Sequence, residues 1–207
     1  MVMWYPVRTP ALFRWIYPSL EWKGSAANKT IYLTFDDGPH PIATPFVLDL
    51  LKQHNIKATF FCIGKNVQRY PQIYQRILAE GHQTGNHTQD HRNGWQTSRE
   101  DYLENIFTAT QYIDASLFRP PYGRITKAQI KSVQQQFAYR IIMWDVLSGD
   151  FDTQLQPEQC WRQVKKAVRP GSIIVFHDSE KAWQRMQYAL PKTIDHFLAQ
   201  GYQFGLV

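Results

Sequence analysis

The stretch Thr34-Phe35-Asp36-Asp37-Gly38-Pro39-His40 decides how this chain is read. It follows Ile31-Tyr32-Leu33, a short apolar run that reads as a buried strand. Asp, Gly and Pro are all turn formers, so the plainest reading is a turn that closes the strand. Two adjacent carboxylates point further. At a strand end both can face one cleft, where their like charges repel and burial raises the cost. A cation held by one would relieve the conflict and leave the other free as a base.

Outward from this stretch, strands and helices alternate. Thr44-Pro45 reads as the N-cap and first residue of a helix carrying Phe46, Val47, Leu50 and Leu51. Ala58 to Ile63 is a second strand, and Pro71 opens a helix that Gly81 stops. His82 to Asn86 is a third strand. Ser98-Arg99-Glu100-Asp101 resembles a capping box ahead of a long amphipathic helix that reaches Ile113. Leu117-Phe118 is a short strand, and Thr126 caps a helix running to about Phe137. Tyr139 to Trp144 and Ser172 to Phe176 read as apolar strands, Pro157 starts one helix, and Trp183 to Ala199 forms another. Phe204 to Val207 closes the sheet.

Repeated βα units with near-continuous apolar strands predict an α/β fold with a parallel sheet covered by helices. About seven strands suit a distorted (β/α) barrel, and no G-x-G-x-x-G loop supports an open dinucleotide-binding sheet. Polar clusters fall after successive strands: Asp36-Asp37, His87 to His91, Arg119 to Gly123, Asp145 to Asp152, and His177-Asp178. An α/β barrel places its reactive residues at these ends. His87 and His91 are four apart, so on a helical turn they would share a face and could grip one metal ion. Asp37 supplies a third ligand. Two imidazoles and a carboxylate make a hydrolytic zinc site, and the same set also describes an iron facial triad.

The motifs Thr34-Phe-Asp36-Asp37-Gly-Pro, His87-Thr-Gln-Asp-His91, Arg119-Pro-Pro-Tyr122-Gly, Trp144-Asp-Val-Leu-Ser-Gly-Asp150-Phe and Val175-Phe-His177 resemble, in order, those of the NodB-like polysaccharide deacetylases, carbohydrate esterase family 4. The resemblance covers residues 30–207, with residues 1–29 as an aromatic-rich arm packed on that domain. It implies a single-domain distorted (β/α) barrel and metal-dependent removal of acetyl groups from N-acetylated sugars. It also implies one divalent ion, zinc, held by Asp37, His87 and His91. Asp36 would be the general base, paired with Arg119, which stabilises its ionised form. The backbone N–H of Tyr122 would hold the oxyanion. His177 would be the general acid, tuned by Asp150. In the fourth motif Leu147 and Phe151 stand where the family has Asp and Trp, so Asp145 and Asp152 rival Asp150. A deformylase or deacetylase of a lipid-linked sugar and a sugar-binding module without catalysis are the alternative readings.

The net charge of +6 comes from scattered Lys and Arg, which permits an anionic partner, but no nucleic-acid motif accompanies it. Cys62 and Cys160 have no CxxC spacing and read as buried free thiols. The arm carries Trp4, Tyr5, Phe13, Trp15, Tyr17 and Trp22 with Arg8 and Arg14, a composition that allows membrane-surface contact. No stretch reads as a membrane helix or a secretory leader, so a cytoplasmic location is the expectation. His40 reads as structural or cleft-lining, and His54, His82 and His196 as helix-end or surface residues.

Overall fold

β1 (Thr30–Asp36) shows why the sheet curls around a polar centre. Ile31, Leu33 and Phe35 point one way and join the large core under the helices, while Tyr32, Thr34 and Asp36 point the other way into the concave side. The computed structural model describes residues 5–207, so Trp4 of the arm lies outside the described residues.

The other strands are β2 (Thr59–Cys62), β3 (Gln83–Asn86), β4 (Leu117–Phe118), β5 (Arg140–Ile141), β6 (Val146–Leu147), β7 (Ile173–His177) and β8 (Gln203–Phe204). Seven lie in the order β5-β4-β3-β2-β1-β7-β6 with every pairing parallel, and β8 adds beside the start of β1. The seven parallel strands curl into a half-barrel, in keeping with the distorted (β/α) barrel expected. The helices are α1 (Ala11–Ile16), α2 (Ala43–Gln53), α3 (Gly64–Arg69), α4 (Pro71–Ala79), α5 (Arg99–Thr110), α6 (Lys127–Phe137), α7 (Pro157–Ala167) and α8 (Trp183–Ala199). α2, α7 and α8 cover the convex face with Val47, Leu48, Leu51, Val164, Met186, Leu190 and Ile194. No helix among the described residues is long and apolar enough to cross a membrane.

Several local expectations are corrected. Thr44 does not cap α2, which begins at Ala43; the ring Nδ1 of His40 accepts the amides of Ile42 and Ala43 instead. The Thr44 hydroxyl is buried between His40 N–H and the Asp178 carboxyl. Within the sheet the Tyr139–Trp144 run pairs only over Arg140–Ile141, and Ile142 bridges to Glu21 of the arm. The carbonyls of Ile142 and Met143 turn inward to accept from Arg119, and Val146–Leu147 forms a separate strand. His82 is buried, with Nδ1 accepting the amide of Ala58. Ser98 and Thr126 cap their helices as expected, and both cysteines are buried and free.

The arm enters the seam between β5 and β6. Leu147 N–H donates to Val7 O, Thr9 N–H to Asp145 O, and Met143 N–H to Glu21 O. Leu20 and Trp22 are buried against Ile130, Val133 and Tyr139. α1 itself buries nothing: Leu12, Phe13, Trp15 and Ile16 are all exposed, and they are the side chains on which a membrane contact of the arm would depend.

Candidate active site and metal centre

The strand register brings the expected site residues to one rim. Asp36 lies opposite His177 across the β1–β7 pairing and opposite Phe61 across β1–β2, while Asn86 pairs with both Cys62 and Phe118. His87 and Arg119 are therefore the first residues beyond neighbouring strand ends. All five polar clusters converge except Asp145 and Asp152. Asp145 is buried among Arg8, Arg14, Lys23 and Ser172, away from His177. Asp152 accepts from Tyr5 and from the amide of Gln154.

Asp37, His87 and His91 offer one ligand atom each, all within 4.8 Å of one another. His91 Nε2 is 3.2 Å and His87 Nε2 3.7 Å from Asp37 Oδ1. That oxygen is buried and has no hydrogen-bond partner, an unusual state for a carboxylate and the one a cation would satisfy. The His87 Nδ1 lies 2.7 Å from the Arg119 carbonyl, which can only accept, so Nδ1 carries the proton and Nε2 presents its lone pair to Asp37. His91 Nδ1 meets the Tyr122 hydroxyl at 3.1 Å. Burial drives the His87 ring down to about 4, so it is neutral and able to ligate near neutral pH. Burial pushes the Asp37 carboxyl up, but the His91 imidazole 3.2 Å away and the positive charge of His177 outweigh it and hold the group below the usual carboxylate range. The donor set, its spacing and the unsatisfied oxygen fit a divalent cation.

The two histidines do not share a helical face. Thr88 and His91 both adopt left-handed backbone, φ 66° and 64°, and this loop folds the rings to 5.1 Å apart. Asp37 at φ 79° and Tyr122 at φ 59° are left-handed too. Such strain costs on the order of 1 kcal/mol or more at each non-glycine residue and gathers at functional sites. The surroundings over-determine it. Buried Asn86 accepts Thr88 N–H and donates to Ile106 O, and Asn66 donates to the Asp37 carbonyl.

Arg119 is fully buried. One guanidinium nitrogen donates to Asp36 and to Thr34 Oγ1, each at 2.7 Å, and the others donate to Ile142 O and Met143 O. Its plane lies 4.0 Å from the centre of the Phe61 ring. His177 is bound twice by Asp150: its amide donates to Oδ2 and its Nδ1 lies 2.7 Å from Oδ1. Burial alone would lower the His177 ring, but the charge and hydrogen bond of Asp150 outweigh it and raise it to about 9. Phe151 packs edge-on to His177 at 5.4 Å and is backed by Tyr5.

Two supporting residues were not assigned from sequence. Asp178 is buried and accepts Gly38 N–H and the Thr44 hydroxyl; burial and the charges of Asp37 and Asp36 push its carboxyl up to about 8. A Cβ on Gly38 would stand 2.0 Å from Asp178 Oδ2, so only glycine admits this contact. Arg185, buried on α8, donates to Asp150 O and so fixes the backbone behind His177. A lone Arg beside Met186, Ala189 and Leu190 was its only signal in the sequence.

Comparison with known proteins bears on the family and the fold. The polysaccharide deacetylase family model matches residues 23–142. A peptidoglycan-N-acetylglucosamine deacetylase of Bacillus cereus is 35% identical over 192 residues, 90% of each chain. A chitooligosaccharide deacetylase of Azorhizobium caulinodans is 36% identical over 158 residues, covering 73% of this chain and 74% of its own. The crystal structure of a peptidoglycan N-acetylglucosamine deacetylase superposes with a TM-score of 0.87 at 32% identity, covering 99% of this chain and 95% of that one. A pseudoenzyme of the same carbohydrate esterase family, from Bacillus anthracis, gives 0.78 at 26% identity, covering 90% of this chain and 66% of its own. The chain belongs to the polysaccharide deacetylase family.

Proposed function

We propose that this protein is a zinc-dependent deacetylase that hydrolyses the acetamido group of an N-acetylated amino sugar in a glycan or glycan fragment. The observation that carries the proposal is the meeting of three groups at one rim. These are the Asp37/His87/His91 trio with its unsatisfied oxygen, the Asp36–Arg119 pair and the His177–Asp150 pair. Relatives named for peptidoglycan and chitooligosaccharide deacetylation support N-acetylglucosamine as the sugar.

The ion would supply Lewis acidity at the acetyl carbonyl and to water. The chain's own groups do the rest. Asp36, ion-paired with Arg119, accepts a proton from the attacking water. The backbone N–H of Tyr122 donates to the oxygen that gains charge as the carbonyl carbon becomes tetrahedral. The C–N bond then breaks, and His177, held as imidazolium by Asp150, gives its proton to the departing amine. Acetate and a free amino sugar leave. The presence of Asp36, His177 and the full ligand trio in this chain argues against the reading as a sugar-binding module.

The test is metal content together with acetate release from chitooligosaccharides and peptidoglycan. About one zinc per chain and acetate release are expected, with Asp36→Asn keeping the metal and losing turnover by about 10²-fold or more. Robust turnover in Asp36→Asn removes the base; metal content unchanged after His87→Ala plus His91→Ala removes the metal centre.

A further inference from the structure

Beside the ligand trio stands a shelf whose Trp95 and Arg124 side chains and Tyr122 ring face are not used by the roles above. Trp95 sits on the short turn that follows His91 and is 62% exposed. Its orientation is fixed, because its indole N–H donates to Ile125 O and its amide donates to the Asn93 side chain. Tyr122, 60% exposed, meets His91 through its hydroxyl and lies edge-on to that ring at 4.5 Å. Between the two aromatics lies Arg124, its guanidinium 5.3 Å from the Trp95 ring centre and 6.0 Å from that of Tyr122. Arg124 is exposed, and among the described residues its guanidinium has no carboxylate partner and no hydrogen-bond acceptor.

The shelf is rigid. Gly94 packs so closely on Arg124 that a Cβ there would come within 2.4 Å of the Arg124 carbonyl. Buried Gln129 donates to Gly94 O and takes part in the cap at Thr126, which ties the loop of His91 to the loop of Tyr122. A guanidinium held at cation–π distance from two aromatic rings keeps its N–H donors free, and their planar fork matches a carboxylate with two parallel hydrogen bonds. The exposed aromatic faces suit the C–H face of a pyranose.

We propose that Tyr122, Arg124 and Trp95 form a subsite for the sugar next to the one being deacetylated, and that Arg124 selects a carboxylate-bearing substituent on it. The proposal rests on the deacetylase reading for the position of the reacting sugar. It names an anionic N-acetylated glycan, rather than a neutral one, as the preferred substrate class. The roles are those of specificity: Arg124 touches the neighbouring unit, not the reacting atoms.

The experiment compares the zinc-loaded protein on two glycans of equal length. One is a neutral N-acetylglucosamine oligomer, and the other is a peptidoglycan glycan fragment whose alternate sugars carry a lactyl carboxylate. The KM should be lower for the acidic glycan by about tenfold, the worth of one charge-assisted hydrogen bond. Arg124→Ala should remove that preference, with kcat and the neutral-glycan KM within about twofold of wild type, and Arg124→Glu should reverse it. Raising the salt to 0.5 M should shrink the difference. Equal KM values for the two glycans in the wild type, or an Arg124→Ala effect of the same size on both, overturns the subsite. Calorimetric binding of both glycans to the same proteins is measured in parallel. Absence of acetate release from either glycan would defeat the deacetylase reading alone. In that case an acidic-glycan preference that Arg124→Ala abolishes supports the subsite, and its absence defeats it.

Discussion

Asp150→Asn isolates the device that keeps the general acid charged. In the native protein the His177 ring is held at about 9, and Asp150 supplies the two largest upward contributions through its charge and its hydrogen bond. The asparagine keeps the shape and removes the charge. Burial, which outweighs every other single influence and acts downward, is then opposed only by the more distant Asp37 and Asp36. The ring should fall to about 6.5, the ordinary imidazole value, or below. At pH 7.5 the native ring is almost wholly imidazolium, whereas the variant's is protonated in no more than about one molecule in ten. The kcat/KM at pH 7.5 should therefore drop about tenfold or more, and the alkaline limb of the pH profile should move from about 9 to about 6.5 or lower. The deficit should shrink as the pH is lowered, because low pH restores the proton. The stability linkage has the same sign. A ring raised on folding adds stability that is complete below its unfolded value and fades as the pH climbs through about 9, so the variant's melting deficit should fade there too. The assays are a pH profile of kcat/KM and a proton-NMR titration of the His177 ring. An alkaline limb still near 9, or a ring still titrating there, would falsify the assignment of Asp150.

Arg119→Met should strand Asp36 and two inward carbonyls in the interior and cost about 3–5 kcal/mol of stability by denaturant titration. Adding Asp36→Asn should return part of that loss, and a single-variant loss below about 1 kcal/mol would show that the pair is not the buried unit described. Gly38→Ala should push Asp178 off the Gly38 amide and Thr44, destabilise by about 1–3 kcal/mol and weaken zinc binding through the displaced Asp37 loop. Wild-type stability and metal affinity in that variant would refute the close contact.

The site was legible where chemistry is carried by unusual residue types. Paired carboxylates after an apolar strand, a spaced histidine pair, and an Arg and a His following later strands are improbable as turn residues, and they converge. The supports were not legible. Asp178 resembles any acid after a strand, and Arg185 any arginine on a helix, because what matters for each is a partner more than thirty residues away: Thr44 for one and Asp150 for the other. The loop of His87 and His91 misled in a different way. Four-residue spacing is shared by a helical turn and by a loop with two left-handed residues, and hydrogen bonds of Asn86 to Thr88 and Ile106 and of Asn105 to Gln89 hold the loop form.

Local pattern in the amino-acid chain was sufficient for most strands and helices, though not for α1, α3 or β6, and for the caps at Ser98 and Thr126 and the residue types of the ligand trio, since those depend on near neighbours. Tertiary structure alone decided which acid serves His177, why the fifth strand ends at Ile141, and how the arm fills the seam of the barrel. Each of these turns on a hydrogen bond between residues distant in sequence, and such a bond exists only once the sheet has set its register and closed its curve.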